Sequence, residues 1–412
     1  MHVCEDTDLG GDNRENCLGG TSAGANKLRV FSKQVHIVTI NRSAFAFSWI
    51  FICWSVQVGF CQQQDQRALL NYENLTIDSA AQRVYYEQRL YRNPMIGLLE
   101  LSQALAKPTT TEFVPLYQGV PIASYRLGDA WQTNLLSRNE RKAIGRLIPA
   151  GPGHYKVDFR LHPDMVANFG YKTDPFQAKI SLLLQTQLYL TRGLVLNLGV
   201  LFPITNNYDT QPMNIRPAPI YLNQFLALSG QDFLSGSVGF FYSNQYGVNL
   251  QYRRANLTKP WSFGLEASLT GDYYYPTKGI YYESMNRAML LADVAYRISK
   301  RDITLKVSGG QYLYEDRGMR IDFIRQLYSV EVGVFAMKTT KGSTAGFNFA
   351  VPIPPGRIAQ SKRARLRTTE EYRWEYSYNG GGNNVGIRYR VGNQLDALLR
   401  QYHSDYLRQQ QP

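Results

Sequence analysis

The chain reads as a mainly β protein: a transmembrane antiparallel β-barrel of roughly ten to fourteen strands, with a small N-terminal β-α-β periplasmic element and a C-terminal helix. Three observations predict this. The first is residues 176–190, where Phe176, Ala178, Ile180, Leu182, Leu184, Leu188 and Leu190 share one parity, broken only by Thr186. Gln177, Lys179, Ser181, Gln185, Gln187 and Tyr189 share the other, interrupted by Leu183. A period of two is a strand with one apolar and one polar face. This run is far longer than the roughly five or six residues usual in soluble sheets, and a tilted strand needs only about nine to eleven to cross a bilayer.

The second observation is recurrence. Leu194, Leu196, Leu198, Val200 and Phe202 have Asn197 and Gly199 behind them. Leu234, Val238, Phe240 and Tyr242 oppose Ser235, Ser237 and Ser243, and Val248, Leu250 and Tyr252 oppose Asn249, Gln251 and Arg253. Trp261, Phe263, Leu265, Ala267 and Leu269 oppose Ser262, Gly264, Glu266, Ser268 and Thr270, and Val330, Val332, Val334 and Ala336 oppose Glu331 and Gly333. The third is the chemistry of the two faces. A soluble sandwich also alternates, but here the second face is small and polar, as a lumen requires. Aromatic residues also gather at strand ends (Trp261, Tyr242, Tyr273 to Tyr275, Tyr281, Tyr282), as interfacial girdles do.

Composition narrows the class. With 412 residues and a mean hydropathy of −0.32, a helical membrane bundle is excluded, whereas a barrel dilutes its apolar residues with lumen residues. The one long apolar run, 44–60, follows Asn41-Arg42 and precedes Cys61-Gln62-Gln63, which is the layout of a secretory signal peptide. Residues 1–61 are therefore assigned to leader and signal. Cys4, Cys17, Cys53 and Cys61 are the four cysteines, so the mature chain has no material for a disulfide framework or a cysteine metal site. Phe60 is a poor residue before a lipidated cysteine. The formal charge of +13 favours anionic partners. An exported chain without a nucleic-acid motif points to lipopolysaccharide or an acidic polysaccharide rather than RNA or DNA.

In order along the chain, residues 62–127 read as a small α/β periplasmic domain. It has a strand over 82–92, a helix over 95–105 started by Asn93-Pro94, and a second strand over 113–125 dented by Pro121. Residues 128–153 read as a polar linker, and 154–356 as the barrel, whose longer extracellular loops are 206–216 and 272–286. Residues 357–412 read as a basic linker (Lys362, Arg363, Arg365, Arg367) and a hairpin turning at 379–382. An amphipathic helix over 393–409 follows, with Leu395, Leu398, Leu399, Tyr402 and Tyr406 on one face.

Catalytic constellations are not evident. His154, His162 and His403 lack metal-ligand spacing, and Glu266 and Glu331 point inward as single carboxylates suited to pairing with arginine. Basic residues on the polar parity include Lys179, Arg253, Arg297, Lys306, Arg320, Arg373, Arg388 and Arg390. Arg253, Arg297, Arg320, Arg325, Arg373 and Arg388 are the candidates for a ligand path, because guanidinium groups bind carboxylates in a bidentate fork. The competing expectation is internal arginine–carboxylate networks that stiffen or plug the lumen. Neither a cofactor nor a metal is expected.

Residues 308–336 (SGGQYLYEDRGMRIDFIRQLYSVEVGVFA) resemble the signature of the YjbH/GfcD-like family of outer-membrane exopolysaccharide (capsule) biosynthesis proteins. The matching positions are Gly310, Tyr312, Leu313, Asp316, Gly318, Arg325 and Gly333, with Leu327 where the family has an aromatic. The 352–357 stretch PIPPGR is similar to the family's proline stop, 85–92 (YYEQRLYR) to its first strand, and Arg373-Trp374 before a glycine run matches more loosely. The resemblance implies a non-enzymatic accessory to production, export or surface retention of an extracellular or capsular polysaccharide. It also implies contact with outer-membrane lipid and with other polysaccharide-export proteins. A general anion-favouring porin and a soluble β-rich carbohydrate-binding protein are the alternatives. Within the motif, Asp316 is expected to bond its own turn, Gly318 to supply a positive φ, and Tyr312 to lie near the membrane interface.

Overall fold

In the computed structural model the chain is described over residues 68–412, apart from 107–109, 130, 149–154, 156, 171–174, 379–384, 393 and 412. The signal run, Cys61, His154 and the 379–382 turn lie outside the described residues.

The N-terminal unit begins with β1 (Tyr72–Asp78) antiparallel to β2 (Arg83–Gln88). Asn93 caps α1 (Pro94–Ala104) by accepting from the Met95 N–H at 3.0 Å, with Pro94 in the first turn where its missing N–H is harmless. β3 (Glu112–Tyr117) then lies parallel to β2, completing the expected β-α-β unit. The expected single strand over 113–125 is instead folded back. Gln118 and Gly119 take φ of +51° and +74°, and the Glu87 carboxylate accepts both of their N–H groups at 3.1 and 3.0 Å. That turn yields β4 (Val120–Pro121), β5 (Ser124–Arg126) and β6 (Gln132–Asn134). The stretch read as a linker is also structured. Ser137 and Glu140 form a reciprocal capping box at the start of α2 (Arg138–Leu147), and Ile144 and Ile148 pack on Tyr85, Val114, Leu116 and Leu136.

The rest is one large sheet: β7 (Val157–Phe169), β8 (Phe176–Thr191), β9 (Leu194–Asn206), β10 (Arg216–Pro217), β11 (Ile220–Ala227), β12 (Asp232–Phe240), β13 (Gln245–Ala255), β14 (Trp261–Tyr274), β15 (Tyr281–Tyr282), β16 (Arg287–Ile298), β17 (Ile303–Gln311), β18 (Arg317–Leu327), β19 (Val330–Thr339), β20 (Gly342–Val351), β21 (Arg357–Gln360), β22 (Ala364–Thr368) and β23 (Tyr372–Tyr378). Sequential long strands pair antiparallel throughout. The pairing then returns to its start, because β23 pairs with β20 while β22, just before it in the chain, pairs with β7 in parallel. Twelve long strands plus this β22–β23 segment make an odd ring, and an up-and-down ring with an odd number of staves must have one parallel seam. The closing strand therefore lies beyond residue 356, in the stretch read as a basic linker and hairpin. The other expected arm of that hairpin, 385–391, is not a strand.

The alternation sorts as expected. On β8 the side chains of Ser181, Gln185, Gln187 and Tyr189 are buried, and Leu182 and Leu190 are exposed. Leu183, the one break in that pattern, points inward and is buried. Across the sheet Asn197, Asn223, Thr270 and Glu331 are 0 % exposed, while Leu265, Leu290, Ile321 and Val334 are 51–59 % exposed. Polar residues are inside and apolar ones outside, the inverse of a soluble sheet. Of the aromatic residues at strand ends, Trp261, Tyr281 and Tyr282 are exposed, whereas Tyr273 is buried and Tyr242 turns inward to bond Gln185. The short turns at 192–193, 228–231, 299–302 and 328–329 share the end that bears the N-terminal unit, and the longer 207–215 and 275–280 loops lie at the other end.

The family-like motif sits where backbones crowd. Gly310 has φ +144°, and a Cβ there would meet the Leu290 carbonyl of β16; register continues without a bulge. Replacing Gly310 with alanine is expected to lower stability by roughly 1–3 kcal/mol, through strain and a lost ladder bond. A urea midpoint equal to that of the parent chain would contradict this.

Candidate functional site

The interior of the closed sheet is filled by ion pairs, by the C-terminal segment and by one polar chamber. Two buried carboxylates organise the ion pairs. Glu331 on β19 accepts from Arg373 Nη1 at 2.6 Å and from Arg400 at 3.0 and 3.1 Å, and lies 3.4 Å from Arg92 Nη2. It thus joins the sheet wall, the C-terminal segment and the N-terminal unit. Asp158 on β7 accepts from Arg365 Nε at 3.1 Å and Arg367 Nε at 3.0 Å, with Arg89 of the N-terminal unit 3.4 Å away. Arg365 and Arg367 are 1 % and 0 % exposed. They read as linker charges because a basic run is usually solvated, yet their i, i+2 spacing is that of a strand face, and the parallel seam turns it inward.

The C-terminal segment enters from the loop-rich end and crosses the interior. The Gly386 N–H donates to Asp316 at 2.8 Å, Arg388 donates to Glu266 at 3.0 Å, Tyr389 bonds Asn249 at 3.0 Å, and the Leu395 N–H donates to Gln251 at 3.0 Å. Tyr389 and Val391 pack with Tyr221, Phe241, Met289, Leu291, Tyr312, Leu313 and Met337 in an apolar layer inside the sheet. The expected single helix is two, α3 (Leu395–Gln401) and α4 (Ser404–Gln409), broken at Tyr402-His403. Leu395, Leu399, Tyr402 and Tyr406 are buried against the N-terminal unit and the Phe225 and Phe233 end of the sheet, as the amphipathic pattern indicated. Tyr125 donates to the Tyr402 carbonyl at 2.6 Å, which ties the N-terminal unit over this plug.

Of the arginines proposed for a ligand path, five lie inside and each has a carboxylate partner. Arg253 pairs with Asp293, Arg297 with Asp302 at 2.6 Å, Arg320 with Asp322 and Glu375 at 2.7 Å, Arg373 with Glu331, and Arg388 with Glu266. That is the internal-network expectation. Arg325 is a correction: it lies on the outer parity of β18 with Phe323 and Leu327 and is exposed, so it cannot line an interior path. The motif residues also shift role. Tyr312 is 0 % exposed in the interior layer rather than at an interface. Asp316 bonds Thr340 Oγ1 at 2.7 Å and the Lys341 and Gly386 N–H groups, joining a neighbouring turn to the C-terminal segment instead of its own turn. Positive φ falls on Tyr314 and Glu315, and Gly318 serves close approach, since a Cβ there would meet the Lys338 carbonyl. Leu313 is buried in the same interior layer, and a Cβ on Gly333 would meet the Asn348 side chain at 2.6 Å.

The chamber lies between the N-terminal unit and the interior wall, with a volume of about 200 Å³. One water needs only ~15 Å³ on such a measure. Tyr117, Gln118, Arg160, His162, Tyr242 and Arg390 contribute to its lining. Arg390 lies 5.1 Å over the Tyr242 ring and donates to the Arg373 carbonyl at 2.7 Å. His162, which lacks metal-ligand spacing in the sequence, is buried here beside Tyr242 and Tyr372. Sequence reasoning missed Gln118, Arg160 and the tyrosines, because their meeting depends on the N-terminal unit docking onto the sheet. Among the described residues no group of three or more His, Cys, Asp or Glu is placed to hold a metal ion.

His403 connects α3 to α4. Its Nε2 lies 3.1 Å from the Lys259 carbonyl and its Nδ1 accepts the Asp405 N–H at 3.3 Å, so the neutral ring with the proton on Nε2 satisfies both. Burial, then the nearby Arg297, holds its pKa down to about 4. The folded state thus binds fewer protons, and its advantage is full above the unfolded value of about 6.5 and is lost as pH falls toward 4. Anchoring of the C-terminal segment is expected to weaken over that window by up to about 3 kcal/mol. Protease release of the C-terminus against pH checks this, and a His403→Gln chain should lose that pH dependence.

The family model for exopolysaccharide biosynthesis protein YbjH matches residues 137–354, from the start of α2 to just past β20. No curated protein and no solved structure matches the chain.

Proposed function

The chain belongs to the YjbH family of exopolysaccharide biosynthesis proteins, and on that premise we propose that it is a non-enzymatic outer-membrane β-barrel protein that assists production, export or surface retention of an acidic extracellular or capsular polysaccharide. The observation that carries this reading is the inverted closed sheet, with an apolar outer face and an interior in which ion pairs, amides and hydroxyls surround a smaller apolar layer. Exposed apolar area on this scale is unusual on a soluble monomer and suits hydrocarbon. Among the described residues no helix is long and apolar enough to cross a membrane. The 44–60 run supplies the export signal in this reading. Lipid of the outer membrane and other polysaccharide-export proteins are its partners.

The porin alternative fits less well, because the C-terminal segment occupies the interior with an apolar layer and Tyr389 at its centre. Cell fractionation tests the reading. The protein is expected in the outer membrane, resistant to carbonate extraction and heat-modifiable on a gel, and deletion of its gene is expected to alter the amount of surface polysaccharide. Carbonate extraction, or an unchanged polysaccharide, would overturn it.

A further inference from the structure

We infer that the chamber beneath the N-terminal unit is a binding site for one carboxylated sugar residue, a uronate. This rests on the polysaccharide reading above and assigns a place and residues to it. Five arginines and three glutamates line the chamber. Three of those arginines are committed to close carboxylates: Arg89 to Glu73 at 2.6 Å, Arg92 to Glu371 at 2.7 Å and Arg373 to Glu331 at 2.6 Å. The other two stand farther from any carboxylate, although Arg160 Nη2 donates to Gln185 at 3.0 Å. Arg160 is 3.5 Å from Glu370, and Arg390 is 3.7 Å from Asp164 with its side chain 39 % exposed inside the sheet.

Polar capacity is also left over. Gln118 is 2 % exposed and donates to Asn223, yet its Oε1 accepts from no side chain or backbone group among the described residues, and Arg160 Nε has no partner there either. Buried polar atoms of this kind are ordinarily satisfied, and both belong to side chains that line this one cavity. Six tyrosines line the same space, and an aromatic ring is a fitting partner for the C–H side of a pyranose. An arginine fork for a carboxylate, an amide acceptor for a hydroxyl and an aromatic face are complementary to an acidic sugar and ill-suited to an apolar ligand.

Calorimetry on the full chain in detergent tests this, using a tetrasaccharide of alternating glucuronate and its carboxyl-reduced neutral form. The acidic probe is expected to bind at least tenfold more tightly than the reduced one. Arg390→Gln should remove that preference, and Tyr242→Ala should weaken both probes, with heat-modifiability retained. Equal binding of the two probes, or wild-type binding by both variants, overturns the inference. If Arg390→Gln disturbs folding, Gln118→Leu takes its place, and unchanged binding there is equally fatal. In cells, a gene deletion that alters polysaccharide while Arg390→Gln restores it fully sinks the chamber alone. A deletion without effect sinks the polysaccharide reading itself.

Discussion

Replacing Glu331 with alanine is expected to destabilise the folded chain by roughly 3–5 kcal/mol, the cost of stripping the carboxylate from a buried ion cluster. Glu331 is 0 % exposed, and Arg92, Arg373 and Arg400 converge on its two oxygens from three parts of the chain. Arg92 and Arg373 keep Glu371, at 2.7 and 2.8 Å, but Arg400 is left with Asp396 at 3.6 Å. The damage should therefore concentrate on α3 and the docking of the N-terminal unit. Urea unfolding gives the size of the effect, and limited proteolysis should show the C-terminus cut first. A parent-like midpoint would mean that the cluster contributes no net stability. Glu331→Gln should fall between the two, since an amide retains one acceptor oxygen and no charge.

Removing residues 385–412 is expected to turn a closed interior into a conducting one, with conductance in planar bilayers rising roughly tenfold or more toward that of water-filled barrels. The segment supplies Tyr389 and Val391 to the interior layer and α3 and α4 to the seal. Its loss also frees the lid. Tyr125 loses the Tyr402 carbonyl, Trp131 loses Ser404, and the Gly128 N–H loses Gln411. The long strands and their register do not depend on it, so the shortened chain should remain heat-modifiable. A chain that stays folded and silent would place the seal in the N-terminal unit instead.

The alternating strands were legible because each depends on its own residues: a period of two needs no partner to be recognised, and it already sorts the side chains into two faces. The same holds for α1, announced by Asn93-Pro94, and for the apolar stripe of Leu395, Leu399, Tyr402 and Tyr406. What the tertiary structure decided is where separate segments meet. Arg365 and Arg367 look like surface charges until the β22–β7 seam buries them on Asp158, more than 200 residues earlier in the chain. Arg325 looks like a lumen residue by motif, but register on β18 puts it outside. Asp316, Tyr312 and the chamber residues acquire their roles only when the C-terminal segment crosses the interior and the N-terminal unit closes one end. Periodicity is a property of neighbours in the chain. The pairing of a buried charge is a property of the closed sheet, in which every interior charge must find its partner from whatever segment the closure brings within reach.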